Sequence, residues 1–221
     1  MKKIIIGICG FSGSGKDTVA DILIKDYGFV KESFASTLKD SAASIFSWDR
    51  KMLEGNTAEL RKQREEVDDW WSKKLNIKNF SPRLALQLLG TEVMRNNFHK
   101  DIWVLSMENK LSNSINKRIV ITDCRFSNEF KTIINQKGLI VRVDRGKMPI
   151  WLETAKKANL GDKKAERDMV EKYKIHITER GWVNQYTDWV FENNGSILDL
   201  KKEVEKFSKV WEYNEKYQSS T

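Results

Sequence analysis

Between an apolar run, IIIGIC at Ile4–Cys9, and an amphipathic stretch from Asp17 to Tyr27 lies the segment GFSGSGKDT, Gly10 to Thr18. No other feature restricts the fold as strongly. Glycine takes positive φ without steric cost, so a loop built on Gly10, Gly13 and Gly15 can turn successive backbone N–H groups inward around an anion. A strand entering the loop and a helix leaving it aim the positive end of the helix dipole at the same point. G-x-x-x-x-G-K carries meaning in that context; without strand and helix it would be a flexible turn. The spacing predicts a phosphate-binding loop. Gly13, Ser14, Gly15, Lys16, Asp17 and Thr18 form the cradle, Lys16 brings a mobile charge for the β- and γ-phosphates, and Thr18 offers a hydroxyl to an α- or β-phosphate. Asp17 departs from the usual pattern, which places Ser or Thr after the lysine. A carboxylate there binds Mg2+ directly or through water, or else caps the helix start.

The other strand candidates are also continuous apolar runs: Ile119–Thr122, Leu139–Val143, Trp189–Glu192 and the shorter FVKESF at Phe29–Phe34. Continuous rather than alternating runs imply a parallel sheet covered on both faces. Helical patterns lie between them. Asp17–Tyr27 and Phe130–Lys137 each stop before a glycine, Gly28 and Gly138, a helix-ending signal. Ser196–Tyr217 spaces Ile197, Leu200, Val204, Phe207 and Trp211 three or four apart. The alternation predicts a three-layer α/β fold with a central parallel sheet. Two charged stretches interrupt it: an insertion at 35–103, mostly helical, and a lysine-rich one at 146–175. The core is then 1–34, 104–145 and 176–221 of one domain, which 221 residues can build.

The net charge of +8 favours anionic partners, but lysines and acids are interleaved along the chain as on a solvated surface. A nucleic-acid partner is therefore not expected. No run of about 18 apolar residues suggests a membrane span, and the start MKKIIIGICG lacks the longer apolar stretch of a signal peptide. Two cysteines, Cys9 and Cys124, both beside apolar strands, make no disulfide framework. They read as reduced thiols in a cytoplasmic protein.

Further motifs follow in order: FASTLKDSAASIF, WDRKMLEGNTAELRKQREEVDDWW, SPRLALQLLGTEVMRNNFHKDIWV, IVITDCRFSNE, VRVDRG, HITERG and FENNGSILDL. In this order the chain resembles the bacteriophage deoxynucleoside-monophosphate kinases, a P-loop kinase family, from Ile4 to about Leu200. LLGTEVMRNNFHKDIWV is the most specific block.

The resemblance implies transfer of the γ-phosphate of ATP to a deoxynucleoside monophosphate (dNMP), with Mg2+ as cofactor, by a P-loop NTPase fold. The insertion at 35–103 would be NMP-binding and the one at 146–175 a lid. An anionic acceptor phosphate needs no general base; the task is to hold two polyanions together and neutralise the charge between them.

By the same resemblance Lys39, Arg64, Arg83, Gly90, Thr91 and Trp103 would bind the monophosphate or border its base, with Arg61 an alternative to Arg64. Asp123, at the end of its strand, would organise Mg2+. Arg125 would clamp a phosphate, with Glu129 orienting or capping it, and Arg145 would close over the ATP phosphates. The lid lysines Lys156, Lys157, Lys163 and Lys164 read as solvated charge. His176 and Glu179 would pair to fasten the lid hinge, and the turn Asn193–Asn194–Gly195 would border the adenine, with Asn194 as contact. The family also implies a possible homodimer, and the host cytoplasm if the chain is phage-encoded.

The same loop and arginines would equally serve a P-loop kinase for another phosphorylated acceptor, such as phosphomevalonate or dephospho-coenzyme A. A nucleotide-binding module without turnover is disfavoured by Asp123, Arg125 and Arg145 together.

Overall fold

The computed structural model describes residues 3–217. In chain order the elements are β1 (Ile4–Cys9), α1 (Lys16–Tyr27), β2 (Val30–Glu32), α2 (Ser36–Phe46), α3 (Arg50–Glu54), α4 (Ala58–Glu65), α5 (Asp69–Leu75) and α6 (Pro82–Gln87). A π-helix (Leu88–Phe98) and α7 (Ile102–Asn113) follow. Then come β3 (Arg118–Ile121), α8 (Ser127–Asn135), β4 (Leu139–Asp144), α9 (Leu152–Asn159), α10 (Lys163–Glu171), α11 (Ile177–Arg180), β5 (Trp189–Glu192) and α12 (Ile197–Tyr217).

All five strands are parallel, in the order β2-β3-β1-β4-β5. This is the parallel α/β sheet that the alternation of strands and helices implied. β1 is central, bracketed by β3 (Ile4 beside Arg118) and β4 (Ile6 beside Leu139), and every one of its residues is buried. On one face Ile4, Ile6 and Ile8 pack with Val19 and Leu23 of α1 and Leu200, Val204, Phe207 and Trp211 of α12. On the other face α8 lies so close that a Cβ on Gly7 would come within 2.4 Å of Ile133 Cδ1 and 3.0 Å of Cys124 Sγ. Glycine at position 7 is what lets the helix seat on the strand. The chain order reverses direction at β1, so its carboxyl end opens where open α/β sheets bind ligands.

The strand runs read from the sequence recur as β1 to β5. Two helix ends differ. α8 stops at Asn135, Lys137 takes the left-handed conformation (φ 57°), and Gly138 N–H reaches back to Ile133 O at 2.9 Å. Gly138 is needed for space rather than as the left-handed cap, because a Cβ there would lie 2.8 Å from Ile5 O. In α12 Leu200, Val204, Phe207 and Trp211 are buried as the spacing implied, but Ile197 is 51% exposed. It sits in the first turn, where Ser196 and Asp199 bond reciprocally (Ser196 N–H to Asp199 Oδ2, Asp199 N–H to Ser196 Oγ), and capping outweighs burial there.

The chain separates into two compact units: residues up to Ser33 together with those from Lys110 onward, and Phe34–Asn109. The first contains the sheet. The second is helical, with its own core of Ala42, Phe46, Leu53, Phe80 and Ala85. Trp48 stacks on Phe46 at 4.4 Å and Trp71 meets it edge-on at 5.0 Å. Side chains of Asp49, Thr57, Asp68 and Ser81 each accept a backbone N–H at the start of a short helix, which lets so many brief helices persist.

Both cysteines are buried free thiols. Burial pushes the Cys9 thiol up to about 12, and burial drives Cys124 well above the usual value, with Asp123 adding to it. A thiol whose pKa is raised by folding stabilises fully below the unfolded value, and that contribution is lost as pH rises through it. We therefore expect no thiol to react with Ellman's reagent at pH 8 in the folded protein and two after denaturation. Stability should fall as pH rises above about 8.5–9, where unfolded thiols ionise. Rapid labelling of either cysteine in folded protein would contradict this burial.

Candidate active site

The loop after β1 is shaped by three positive-φ glycines, Gly10 (139°), Gly13 (77°) and Gly15 (103°). Gly10 is also sterically fixed: a Cβ would lie 2.4 Å from Val143 O of the neighbouring strand. α1 starts at Lys16, and Gly15 is its N-cap without any side-chain cap. The first amides of the helix are thus left to a ligand rather than to the chain. Ser14 is 3% exposed and its hydroxyl has no hydrogen-bond partner in the protein. A buried orphan hydroxyl in a glycine cradle fits a phosphate oxygen.

Lys16 folds back on its own loop, donating to Gly10 O (2.8 Å) and Phe11 O (2.6 Å). Burial, and then the Arg125 guanidinium, hold its ammonium below the ordinary lysine value; Asp17 and Glu179 oppose this. Its charge is therefore only partly compensated. Asp17 projects from α1 and pairs with Lys31 of β2 at 2.9 Å, with its side chain 80% exposed.

From the end of β3, Asp123 accepts a hydrogen bond from Ser33 Oγ at 2.8 Å. Glu129, 3% exposed in the first turn of α8, accepts from the N–H groups of Arg125 (2.7 Å) and Phe126 (3.0 Å). It caps the helix and, by the same bonds, fixes the backbone that carries the exposed Arg125. A Cβ on Gly181 would lie 2.7 Å from Arg125 O, so the end of α11 presses on this turn from another side. At the end of β4, Arg145 is exposed and is followed by positive-φ Gly146.

Phe11 of the loop lies edge-on to Trp151 (5.3 Å) and Trp182 (4.6 Å), which flank the hairpin of α9 and α10. That hairpin is held by Arg180, 1% exposed, which donates to Asn159 Oδ1 (3.0 Å) and Glu166 Oε1 (2.6 Å). Asn159 in turn donates to the carbonyls of Arg180 and Val183. His176, expected to pair with Glu179, accepts instead from Thr178 N–H as the cap of α11. Arg180, and not a His176–Glu179 pair, ties α11 to the hairpin, while Glu179 bears electrostatically on Lys16.

The second unit holds the other candidate residues. Lys39 pairs with Glu54 at 3.0 Å, and Glu54 also holds Arg50 at 2.7 Å. Arg64 is half-buried; its Nε has no partner, and its single bond, to Leu53 O, is long at 3.5 Å. Burial, and after it the neighbouring charges of Arg83 and Arg61, pull Arg64 below the usual guanidinium value, with Glu65 and Glu54 opposing. Arg83 is exposed, 4.0 Å from Glu65. Arg64, Arg83 and Arg61 thus stand close enough to repel one another, and Glu65 and Glu54 offset this in part.

Gly90 lies inside the π-helix against Leu38, whose Cδ2 would be 2.7 Å from an added Cβ, while Thr91 next to it is exposed. The Gly90 carbonyl accepts the Trp103 indole N–H at 2.9 Å, and Trp103 is 7% exposed. Trp103 therefore supports Gly90 directly, and its polar atom is not left for a base.

The family model for deoxynucleotide monophosphate kinase matches residues 50–151. A protein of Acanthamoeba polyphaga mimivirus, provisionally named deoxynucleotide monophosphate kinase, is 31% identical over 153 residues, 64% of this chain and 74% of that one. The chain belongs to the deoxynucleotide monophosphate kinase family. The deoxynucleoside-5′-monophosphate kinase of Escherichia phage T5 is 26% identical over 175 residues, 57% of this chain and 70% of that one. A shikimate kinase of Aquifex aeolicus is a remoter structural likeness: 14% identity, 91% of this chain, 94% of that chain and a TM-score of 0.41.

In this member of the deoxynucleotide monophosphate kinase family, Gly13, Ser14, Gly15, Lys16, Asp17, Thr18, Asp123, Arg125, Arg145 and Asn194 all lie in the sheet-containing unit. Lys39, Arg64, Arg83, Gly90, Thr91 and Trp103 lie in the helical unit. Sequence reasoning missed Ser33 beside Asp123, Arg180 at the hairpin, and the bond by which Asn193 Nδ2 donates to Ser14 O at 2.9 Å. Ser33 stands one residue past β2, at the carboxyl end of the sheet, which could have flagged it.

No group of three or more His, Cys, Asp or Glu among the described residues could hold a metal ion unaided. Mg2+ binds through one or two carboxylates, waters and substrate phosphates. Asp123, partly exposed and oriented by Ser33, fits that donor set.

Proposed function

We propose that this protein transfers the γ-phosphate of ATP to a deoxynucleoside 5′-monophosphate, giving ADP and the diphosphate. The observation that carries the reading is the unmet demand for anions on both units of one chain of this family. Ser14 and Lys16 lack full partners in the loop, and Arg64 lacks them in the helical unit. Lys16, Ser14 and the amides from Gly13 to Thr18 cradle the donor phosphates. Arg125 and Arg145 stabilise the charge on the transferred group. Arg64, Arg83 and Lys39 hold the acceptor phosphate, and Gly90 and Thr91, backed by Trp103, border the base.

Asp123 would hold Mg2+, which when bound neutralises charge between the β- and γ-phosphates. Asp17, already engaged by Lys31, contributes through water or by its charge at the helix start. The hairpin of α9 and α10 closes as the lid that excludes water. A cytoplasmic setting and a homodimer go with this reading. Among the described residues no helix is long and apolar enough to cross a membrane.

A kinase for another small phosphorylated acceptor would need the same arginines; family membership favours the nucleotide. The test is ADP formation from ATP and Mg2+ with each of the four dNMPs separately. Turnover with at least one is expected. No turnover with any, by folded protein that still binds ATP, would overturn the choice of acceptor.

A further inference from the structure

The turn after β5 makes three bonds that converge on the site. Asn193 Nδ2 donates to Ser14 O at 2.9 Å, and Asn193 N–H donates to Asp144 O at 2.8 Å. Asn194 Oδ1 accepts from Gly146 N–H at 2.7 Å. The amide orientations are dictated by chemistry: a carbonyl can only accept, and a backbone N–H can only donate. The first bond grips the phosphate loop at Ser14. The other two grip the residues immediately before and after Arg145. Arg145 itself is exposed, and a long side chain on a loosely held backbone would sample many positions.

Gly15 belongs to the same arrangement. A Cβ there would come within 2.3 Å of Asn193 Nδ2, so glycine is required for the turn to reach the loop as well as for the φ of 103°. β5 delivers the turn at the right height, because Glu192 pairs with Asp144 in the parallel register.

We infer that Asn193 and Asn194 are positioning residues, a two-pronged brace in which Asn193 holds the phosphate loop and Asn194 aims Arg145. This rests on the proposed function for the role of Arg145. It gives Asn194 a task through its side-chain oxygen that adenine contact alone would not explain. Asn193 acts on nucleotide binding, because losing its bond leaves Ser14 O unpartnered and lets the loop relax. Asn194 acts on the chemical step, because Arg145 is needed most when charge develops on the transferred group.

The test is a set of variants of the full chain: Asn193→Ala, Asn194→Ala, Arg145→Ala, the double variant Asn194→Ala/Arg145→Ala, Asn193→Asp and Asn194→Asp. Asn193→Ala should raise KM for ATP about tenfold, the worth of one hydrogen bond to an organised loop, with KM for the dNMP unmoved. Asn194→Ala should lower kcat about tenfold with KM for ATP unmoved. The double variant should be no slower than Arg145→Ala alone, since a residue acting through Arg145 has nothing to act through once it is gone. The two Asp variants add the same charge at adjacent positions. Asn194→Asp keeps an acceptor for Gly146 N–H, whereas Asn193→Asp loses the donor to Ser14 O, so Asn193→Asp should be the more damaged.

Additive losses in the double variant, or losses that follow a fall in Tm, would overturn the brace. Binding of a non-hydrolysable ATP analogue by calorimetry separates the two proposals. If the wild type phosphorylates no dNMP yet Asn193→Ala still loses analogue affinity, the loop brace stands and the acceptor reading falls. If the wild type turns over and Asn193→Ala binds the analogue normally, the brace falls and the function stands.

Discussion

Replacing Lys16 by alanine is expected to lower kcat by about 10²–10³-fold, the usual loss when one preorganised charge is removed from a water-excluded site. The folded protein should be no less stable. Lys16 is a costly residue in the absence of nucleotide. Its ammonium is desolvated and repelled by Arg125, it donates to the carbonyls of Gly10 and Phe11, and Asp17 and Glu179 offset the cost only in part. Those two bonds are what a polyphosphate must replace, and it replaces them with full negative charge. Arginine should not rescue the variant, because a planar fork cannot occupy the tight curve that the glycines make for a compact ammonium. A coupled assay for ADP gives kcat, and a thermal melt reports stability. Activity within a few-fold of wild type would remove this loop from the chemistry.

The sheet and the loop were legible because their determinants are local. Five apolar residues of the first strand, four glycines and a helix signal fall within 24 residues from Ile4 to Tyr27. What was not legible depends on partners distant in sequence. The π-helical pitch at Leu88–Phe98 fits the packing of Gly90 against Leu38, some fifty residues earlier, a contact that the substrate role implied for Gly90 by resemblance did not contain. No local signal marks Arg180, whose role rests on Asn159 and Glu166, 21 and 14 residues earlier. Lys137 hid the end of α8 because a left-handed lysine carries no signal in the sequence. For Asn193 and Asn194 the resemblance implied a turn bordering the adenine, with no hint of their bonds to Ser14 and Gly146, which span 179 and 48 residues. Glu129 was the exception. An acid three residues after a helix start is a local pattern, and its bond to the Arg125 N–H was within reach of sequence reasoning.

Arg64→Met should separate function from stability in opposite directions. The methionine keeps most of the aliphatic bulk and removes a half-buried charge that has an orphaned Nε, one long bond at 3.5 Å, and two arginines, Arg83 and Arg61, repelling it. Partly desolvated cations without full partners destabilise a fold, so chemical denaturation should find the variant as stable as wild type or more stable. Glu54 and Glu65 attract Arg64 and limit the gain. The acceptor should pay the opposite price: a charged hydrogen bond to a phosphate is worth about 2–3 kcal/mol, so KM for the dNMP should rise roughly 30- to 150-fold while KM for ATP stays put. Arg64→Lys should recover only part of the loss, since a point charge cannot clamp two phosphate oxygens at once. The same substitution at Arg61, which is exposed and already donates to Gly55 O, should change acceptor KM far less. If Arg64→Met instead unfolds the helical unit and leaves acceptor KM unchanged, Arg64 is a structural clamp on the Leu53–Gly55 turn. The strain in the three-arginine cluster would then need another explanation than the phosphate it is proposed to await.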